Sequence, residues 1–129
     1  MVPGLSDNDQ RVLSELQESG RPMSAYDVLD RVRSDAIRAP VQVYRAMAKL
    51  ERHGLVHRVE ALNAFVACSD HHDGKHRPGF VVCRDCGAVR EFEDPRIARI
   101  ARQAAGADFS IERASLEILG RCGPCQAAA

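Results

Sequence analysis

The sequence predicts an α+β protein built from two small domains. Apolar residues recur at helical spacing through the first 54 residues, and short runs of strand type follow them. Four of the five cysteines form two Cys-x-x-Cys pairs in the second half of the chain. At 129 residues the chain suits one ordinary domain or two very small ones, each with a marginal core if it folded alone.

The two cysteine pairs predict a structural zinc site. Cys83 and Cys86 form the first pair, Cys122 and Cys125 form the second, and 35 residues separate them. Two such pairs make a tetrahedral all-cysteine site, because each short turn points both sulfurs at one ion about 2.3 Å away. The site would also stabilise a small domain, since zinc binding is coupled to folding. The alternatives are two disulfides or unrelated thiols.

The redox state of the cellular compartment distinguishes a metal site from a pair of disulfides. Disulfides need an oxidising environment, whereas residues 1–10 carry two aspartates and no apolar run typical of an export signal. No run of the chain reaches the length of a membrane span, so we expect no membrane partner. We therefore expect a cytoplasmic protein, in which paired cysteines favour metal.

Three helices are predicted in the first half of the chain. Each has a recognised boundary signal, namely a capping side chain, a first-turn proline or a terminal glycine. These signals are Ser6 or Asp7 before the first helix and Gly20 after it, Ser24 with Asp27 at the second, and Pro40 and Gly54 around the third. The third helix has an apolar face of Val43, Met47 and Leu50, opposite a face of Tyr44, Arg45, Ala48, Lys49 and Arg52.

Two short strands, 55–59 and 64–68, follow the third helix and are joined by a turn. Three helices and a hairpin in this order are typical of a winged helix-turn-helix, whose third helix enters the DNA major groove. Residues 31–58 hold seven basic and two acidic side chains, although the whole chain has zero net charge. Because this basic run coincides with the outer face of the third helix, contact with double-stranded DNA is favoured over a merely solvated surface.

The predicted domains are a winged-helix domain at 1–68, a polar hinge at 69–79 and a small α/β domain at 80–129. In the second domain we expect a hairpin of 80–82 and 88–92, a helix over 95–105 and a strand over 109–119. Its exposed sheet edges could be covered by a second copy of the chain. The predicted homodimer would present two DNA-binding heads to a palindromic operator.

Five segments taken in order resemble the ferric uptake regulator family, and within it the zinc-sensing branch. They are SAYD at 24–27, PVQVYRA at 40–46, HRVE at 57–60, CRDCGAV at 83–89 and CGPC at 122–125. The resemblance implies a dimeric, metal-dependent repressor with an N-terminal winged-helix domain and a C-terminal dimerisation domain. It also implies two zinc ions per protomer and zinc uptake genes as targets.

The resemblance implies that His57, Cys68, His76 and Glu91 bind the regulatory zinc at the junction of the domains. One thiolate, two imidazoles and one carboxylate suit Zn²⁺ better than Mn²⁺ or Mg²⁺. Cys68 carries the most weight, because the iron and peroxide branches typically sense with nitrogen and oxygen ligands.

Each of these ligands has an alternative interpretation. His57 could contact the DNA backbone, His76 could be an unbound hinge residue, and Cys68 could be a small buried apolar side chain. Glu93 or Asp94 could replace Glu91. The adjacent His71 and His72 could form an extra metal site or be solvated loop residues.

Tyr26, Tyr44 and Arg45 are the predicted DNA contacts. An arginine can donate two hydrogen bonds to one guanine, and a tyrosine can pack on a thymine methyl or hold a phosphate. Tyr44 could instead belong partly to the core. Asp30 and Arg33 could pair within their helix, which is simpler, or between two dimers on one operator, which the resemblance allows.

Three alternative functions remain at this point. A hydrolytic zinc enzyme with Glu91 as base is disfavoured, because a catalytic zinc keeps a position for water and the four proposed ligands would fill it. A DNA-binding adaptor with structural zinc only would bind DNA equally well without a second metal. The third is an iron, manganese or nickel sensor of the same family.

Overall fold

The computed structural model describes residues 4–68 and 78–128 and divides the chain into two compact units, Met1–Lys75 and His76–Ala129. The first unit contains α1 (Asp7–Ser19), α2 (Ala25–Val32), α3 (Pro40–Arg52), β1 (Val56–Val59) and β2 (Ala64–Ala67). The second contains β3 (Pro78–Cys83), β4 (Val89–Glu93), α4 (Pro95–Ala105), β5 (Leu116–Gly120) and α5 (Gly123–Ala128). The predicted α+β class and the winged helix-turn-helix order of the first unit are confirmed.

The first two helices begin at the capping boxes that the sequence predicts. At α1 the backbone N–H of Asp9 donates to the Ser6 hydroxyl over 3.1 Å, and the N–H of Ser6 donates to the Asp9 carboxylate over 2.9 Å. Ser24 and Asp27 repeat this exchange at α2. These bonds satisfy amide groups that have no partner within the helix.

The third helix begins at Pro40 as predicted, and the side chain of Gln42 bonds back to the segment before it. The side-chain oxygen of Gln42 accepts from the backbone N–H groups of Arg38 and Ala39 at 2.7 and 3.0 Å, and its amide nitrogen donates to the carbonyl of Ala36. Gln42 thereby supplies the second half of a capping box, whereas Ala39 offers no side-chain acceptor to the first N–H groups of the helix. The helix ends at Arg52, and Gly54 follows with a φ of +72°.

The core of the first unit lies where the three helices meet the hairpin. Its largest fully buried side chains from α1 and α3 are Leu16, Met47 and Leu50. The hairpin is antiparallel, and a backbone bridge between Met23 and Phe65 ties it to the segment before α2. The wing is therefore fixed to the helices by both packing and hydrogen bonds.

A partly buried ion pair joins α1 to α3. Asp9 is only 6% exposed, and its carboxylate lies 3.0 Å from the ammonium of Lys49. Burial alone would raise the pKa of Asp9, but the hydrogen bond from the Ser6 backbone and the contact with Lys49 together lower it. The sequence placed Lys49 on the outer face of α3, but its ammonium group pairs with Asp9 within the first unit.

The second unit is a three-stranded sheet in the order β4-β3-β5, with β3 antiparallel to β4 and parallel to β5. The predicted hairpin and helix are confirmed. The predicted strand over 109–119 was too long, because only Leu116–Gly120 pairs with β3. The alternation of Ala114, Leu116 and Ile118 suggested a longer strand, although Ala114 lies in irregular chain before the ladder begins.

The core of the second unit is thin. Among its described residues the buried apolar side chains are Phe80, Val82, Cys83 and Ile97. Gly79 adds a close contact: a Cβ at this position would lie 2.3 Å from the ring of Phe92, its partner across the β3–β4 pair. The ring lies over the glycine and covers part of this sheet face.

Strand β3 begins at Pro78, inside the predicted hinge at 69–79. Residues 69–77 of that hinge, which include His71, His72 and His76, lie outside the described residues. The domain boundaries therefore stay a prediction. Within 4–68 and 78–128, no helix is both long and apolar enough to cross a membrane.

We expect Lys49→Met to destabilise the protein by about 1 to 3 kcal/mol near neutral pH, because it leaves the buried Asp9 carboxylate without its cation. A carboxylate with a lowered pKa contributes stability above 3.8, the ordinary value, and loses it as the pH falls through the folded-state value. The difference between variant and parent should therefore shrink at about pH 3. Urea unfolding at both pH values measures it.

Arg52→Met is the matched control, because it removes an exposed basic residue from the same last turn of α3. It should change the free energy of unfolding by less than about 0.5 kcal/mol. Equal losses in the two variants, or a loss in Lys49→Met that persists at low pH, would contradict a role for the Asp9 ion pair.

Candidate metal centre and nucleic-acid interface

The four paired cysteines converge at one end of the sheet of the second unit. Cys83 is the last residue of β3, and Cys86 follows in the turn before β4. Cys122 comes two residues after β5, and Cys125 lies in α5. The parallel register sets Cys83 opposite Gly120, so both cysteine pairs leave the sheet at the same edge.

The spacing of the sulfurs fits a tetrahedral zinc ion. All four Sγ atoms lie within 4.8 Å of one another, and those of Cys86 and Cys122 are 3.8 Å apart. Ligands placed about 2.3 Å from a central ion at tetrahedral angles would be about 3.8 Å apart. The four-cysteine cluster predicted from the sequence is therefore present and could hold zinc.

Hydrogen bonds within the cluster shift the pKa values of its thiols in both directions. The pKa of Cys83 is lowered to about 6, chiefly because the backbone N–H of Cys122 donates to its sulfur over 3.3 Å. The pKa of Cys125 is raised to about 12, because its thiol hydrogen-bonds to the sulfurs of Cys122 and Cys83. A divalent cation among the sulfurs would displace these protons and offset the repulsion between thiolates.

Two charged side chains beside the cluster were missed by the sequence analysis. Asp85 lies between the cysteines of the first pair, Arg121 directly precedes the second pair, and their side chains meet at 2.6 Å. The sequence does show an acidic residue inside the first Cys-x-x-Cys pair and an arginine next to the second pair. The predicted four-cysteine site brings the two turns together, but nothing in the sequence alone shows that these two side chains meet.

The first unit brings together two of the four predicted regulatory ligands. His57 lies on β1, and Cys68 follows directly after β2. The Cys68 sulfur and a ring nitrogen of His57 lie within 4.8 Å of each other, and both residues are half-buried. The N–H of Cys68 donates to the carbonyl of Leu55 over 2.8 Å and extends the pairing of the hairpin by one bond. This bond fixes the Cys68 backbone beside β1.

The other two predicted ligands belong to the second unit of the chain. Glu91 is a half-buried residue of β4 that pairs with Phe80, and His76 lies outside the described residues. Of the two suggested substitutes for Glu91, Asp94 is engaged elsewhere, because it caps α4 and contacts Arg96 at 2.7 Å. These hydrogen bonds from Arg96 lower the pKa of Asp94 to about 2. Asp94 is therefore committed to the start of α4.

The predicted DNA contacts lie on α2 and α3. Tyr26 is 62% exposed, and Arg45 is exposed and makes no ion pair within the described part of the chain. Tyr44 is 39% exposed, and its ring meets Phe65 edge to face with the centroids 6.5 Å apart. The position of Tyr44 thus combines partial core packing with an exposed edge.

Other basic side chains of the 31–58 run are paired within the first unit. Arg31 contacts Glu15 at 3.4 Å, and Arg33 contacts Asp30 at 3.6 Å within α2. The simpler of the two expectations for Asp30 and Arg33 is therefore the one observed within this chain. Arg45 takes part in neither of these ion pairs and is an exposed cation on α3.

Comparison with known proteins adds independent information. The Zinc uptake regulation protein of Escherichia coli (strain K12) is 35% identical over 115 residues, which cover 88% of this chain and 66% of that protein. The chain thus spans slightly less than two thirds of that relative's length.

Two solved structures are similar over nearly the whole chain. Holo XcZur is 38% identical, with a TM-score of 0.78 over 97% of this chain and 87% of that one. A zinc uptake regulator complexed with zinc and DNA is 31% identical, with a TM-score of 0.82 over 96% of this chain and 84% of that one. The sequence model of the ferric uptake regulator family matches residues 5–119. Because this match spans both units, the chain belongs to the ferric uptake regulator family.

Proposed function

We propose that this protein is a zinc-responsive transcriptional repressor that binds double-stranded DNA as a homodimer in the cytoplasm, with zinc uptake genes as its targets. The observation that carries the proposal is the pairing of Cys68 with His57 on the wing. The thiolate is a soft ligand and the imidazole is a borderline one, and this combination favours Zn²⁺ over the harder metals. Relatives named for zinc uptake regulation support it.

Two zinc ions per protomer are proposed, one at each ligand set. Cys83, Cys86, Cys122 and Cys125 hold the structural ion, and His57, Cys68, His76 and Glu91 hold the regulatory ion. Zinc bound by the second set would link the wing to the second unit and reduce the freedom of the DNA-binding head. The strand pairing of the wing supports this role, because it already holds two of the ligands on a rigid hairpin.

The coupling between metal and DNA follows from the ordering of the heads. A dimer whose heads move independently loses conformational entropy when both engage one operator. Ligands that draw the wing and the second unit together remove part of that loss before DNA binds. Zinc and operator therefore raise each other's affinity, and the coupling is reciprocal.

DNA contact is assigned to Tyr26, Tyr44 and Arg45. Arg45 has the exposure and the uncommitted charge to bind a guanine edge, and the partly exposed ring of Tyr44 lies one residue away on α3. The operator is proposed to be a palindrome, because a two-fold dimer presents two equivalent heads.

Homodimer formation is assigned to the second unit. Large apolar side chains there remain well exposed, a pattern typical of a surface that another chain covers. They are Ile100, Phe109, Leu116, Ile118 and Leu119, with exposures between 44% and 65%. Leu116 and Ile118 are two residues apart on β5 and share one face of the strand.

Cys68→Ser should reduce zinc from two ions to one per protomer and abolish zinc-dependent DNA binding, because it removes the softest ligand of the regulatory set. Metal analysis of the full-length protein and a DNA-binding titration over a range of buffered zinc concentrations measure both effects. The fold and the dimer should persist, since the four-cysteine set is untouched.

His57→Gln should reproduce the loss, whereas His53→Gln is the matched control, a histidine four residues earlier that is not a proposed ligand. If the parent protein and Cys68→Ser each hold one zinc and bind DNA equally, the regulatory site is wrong. The protein would then be a DNA-binding adaptor with structural zinc only.

Arg45→Gln should weaken operator binding by about 1 to 3 kcal/mol, the range for losing a bidentate contact to a guanine. Zinc content should not change. Arg102→Gln removes one exposed arginine from α4 of the second unit and serves as the control for overall charge. Fluorescence anisotropy with labelled DNA measures both variants, and equal weakening would show a general charge effect rather than base contact.

Ile118→Lys should weaken dimer formation at least about 30-fold, because burying an unpaired ammonium in an interface is strongly unfavourable. Val41→Lys replaces an apolar residue of the first unit that is 51% exposed and should leave the dimer intact. Sedimentation velocity over a range of protein concentrations distinguishes the two. A fully dimeric Ile118→Lys variant would place the interface elsewhere.

A further inference from the structure

Two turns that carry zinc ligands are held together by groups other than the cysteine sulfurs. The first turn, 83–86, and the segment 120–125 are adjacent because β3 and β5 run parallel and end together. One backbone bond continues this pairing past the strands, from the N–H of Arg84 to the carbonyl of Gly120 over 2.9 Å. Beyond that bond, the connection passes through side chains.

The charged connection is the ion pair of Asp85 with Arg121. The Nε atom of Arg121 lies 2.6 Å from the Asp85 carboxylate, and the residues are 36 positions apart in sequence. The backbone carbonyl of Arg121 also accepts from the side-chain amide of Gln126 over 3.0 Å. Arg121 is thereby tied both to the opposite turn and to the helix that contains Cys125.

The placement of each charge relative to the ligands also matters. Asp85 directly precedes Cys86, and Arg121 directly precedes Cys122, so the pair connects one cysteine of each turn. These two cysteines have the Sγ atoms that are 3.8 Å apart. Opening the cluster between its two turns would therefore separate the carboxylate from the guanidinium as well.

We propose that Asp85 and Arg121 are positioning residues that hold the two cysteine turns in register and slow the release of zinc from the four-cysteine site. This inference rests on the proposed structural zinc at that site. Mutation of residues that orient metal ligands from outside the ligand sphere typically lowers metal affinity by about 10- to 100-fold.

An exposed ion pair alone usually contributes little to the stability of a fold, because water and salt screen it. Asp85 and Arg121 retain 40% and 37% side-chain exposure, so their removal should affect the global unfolding of the protein only weakly. Their effect is expected on the local opening of the two turns. Zinc release reports that opening directly, whereas urea unfolding reports the whole fold.

The test compares Arg121→Met with Arg84→Met in the full-length protein. Each variant removes one exposed arginine next to a cysteine of the cluster, but only Arg121 forms the pair with Asp85. Cys68→Ser is included in every protein so that only the four-cysteine site contributes. The transfer of zinc to an excess of a chromogenic chelator gives the release rate, and urea unfolding gives the stability.

We expect zinc release about tenfold faster in Arg121→Met, at the low end of the usual range because the pair is exposed, and within about twofold of the parent in Arg84→Met. Asp85→Asn should resemble Arg121→Met. The charge exchange that combines Asp85→Arg with Arg121→Asp should recover part of the slow release, because it restores an ion pair between the turns.

Several results would overturn the inference. Unchanged release in Arg121→Met and Asp85→Asn would mean that sheet pairing alone sets the geometry. Equal acceleration in Arg121→Met and Arg84→Met would indicate overall charge, and a matching loss in urea unfolding would indicate a general structural role. A parent protein that binds no zinc would instead refute the proposed structural site.

Discussion

Parallel pairing of β3 with β5 determines what the second unit can do, because it brings two cysteine pairs that are separated by 35 residues to one end of a sheet. Few apolar side chains are buried in this unit, so little else specifies its shape. Zinc at the sulfur cluster would add a cross-link at the end where the strands stop. The sheet brings the two cysteine pairs together, and a bound metal would stabilise that arrangement. Both contributions compensate for the small core.

The first unit is stabilised mainly by its apolar core. Its helices and hairpin surround a continuous apolar core, and no pair of cysteines is needed to close it. The hairpin also supplies Cys68 and His57 at one position, held by the same ladder that fixes the wing. These two of the four proposed regulatory ligands are thus placed by a scaffold that does not depend on metal, which suits a site that must gain and lose its ion.

Local signals in the sequence predicted most of the helices and both hairpins. Ser6, Ser24 and Pro40 mark helix starts through short-range hydrogen bonding or a fixed φ angle, so their effect is visible in the sequence. Contacts between distant segments could not be read in this way. The ion pairs of Lys49 with Asp9 and Arg121 with Asp85 depend on tertiary folding, and the true start of β5 depends on where β3 can pair.

The candidate site shows the same limit. The spacing within each Cys-x-x-Cys pair predicted a metal cluster, since both ligands of a pair lie on one turn. The regulatory set draws its members from the wing, the hinge and β4, and no local pattern connects them. Only the resemblance to a family suggested that combination, and Cys68 was the member whose chemistry distinguished zinc from other metals.

The close contact between Gly79 and the ring of Phe92 restricts how this protein can evolve. Any side chain at position 79 would have to displace the ring, because a Cβ there lies 2.3 Å from it. Phe92 directly follows Glu91 on β4, so a displaced ring would change the packing next to a proposed ligand. Replacing Gly79 would therefore disturb the packing beside a proposed ligand, although neither Gly79 nor Phe92 is itself assigned to metal, so this position should tolerate little change for as long as the metal response matters.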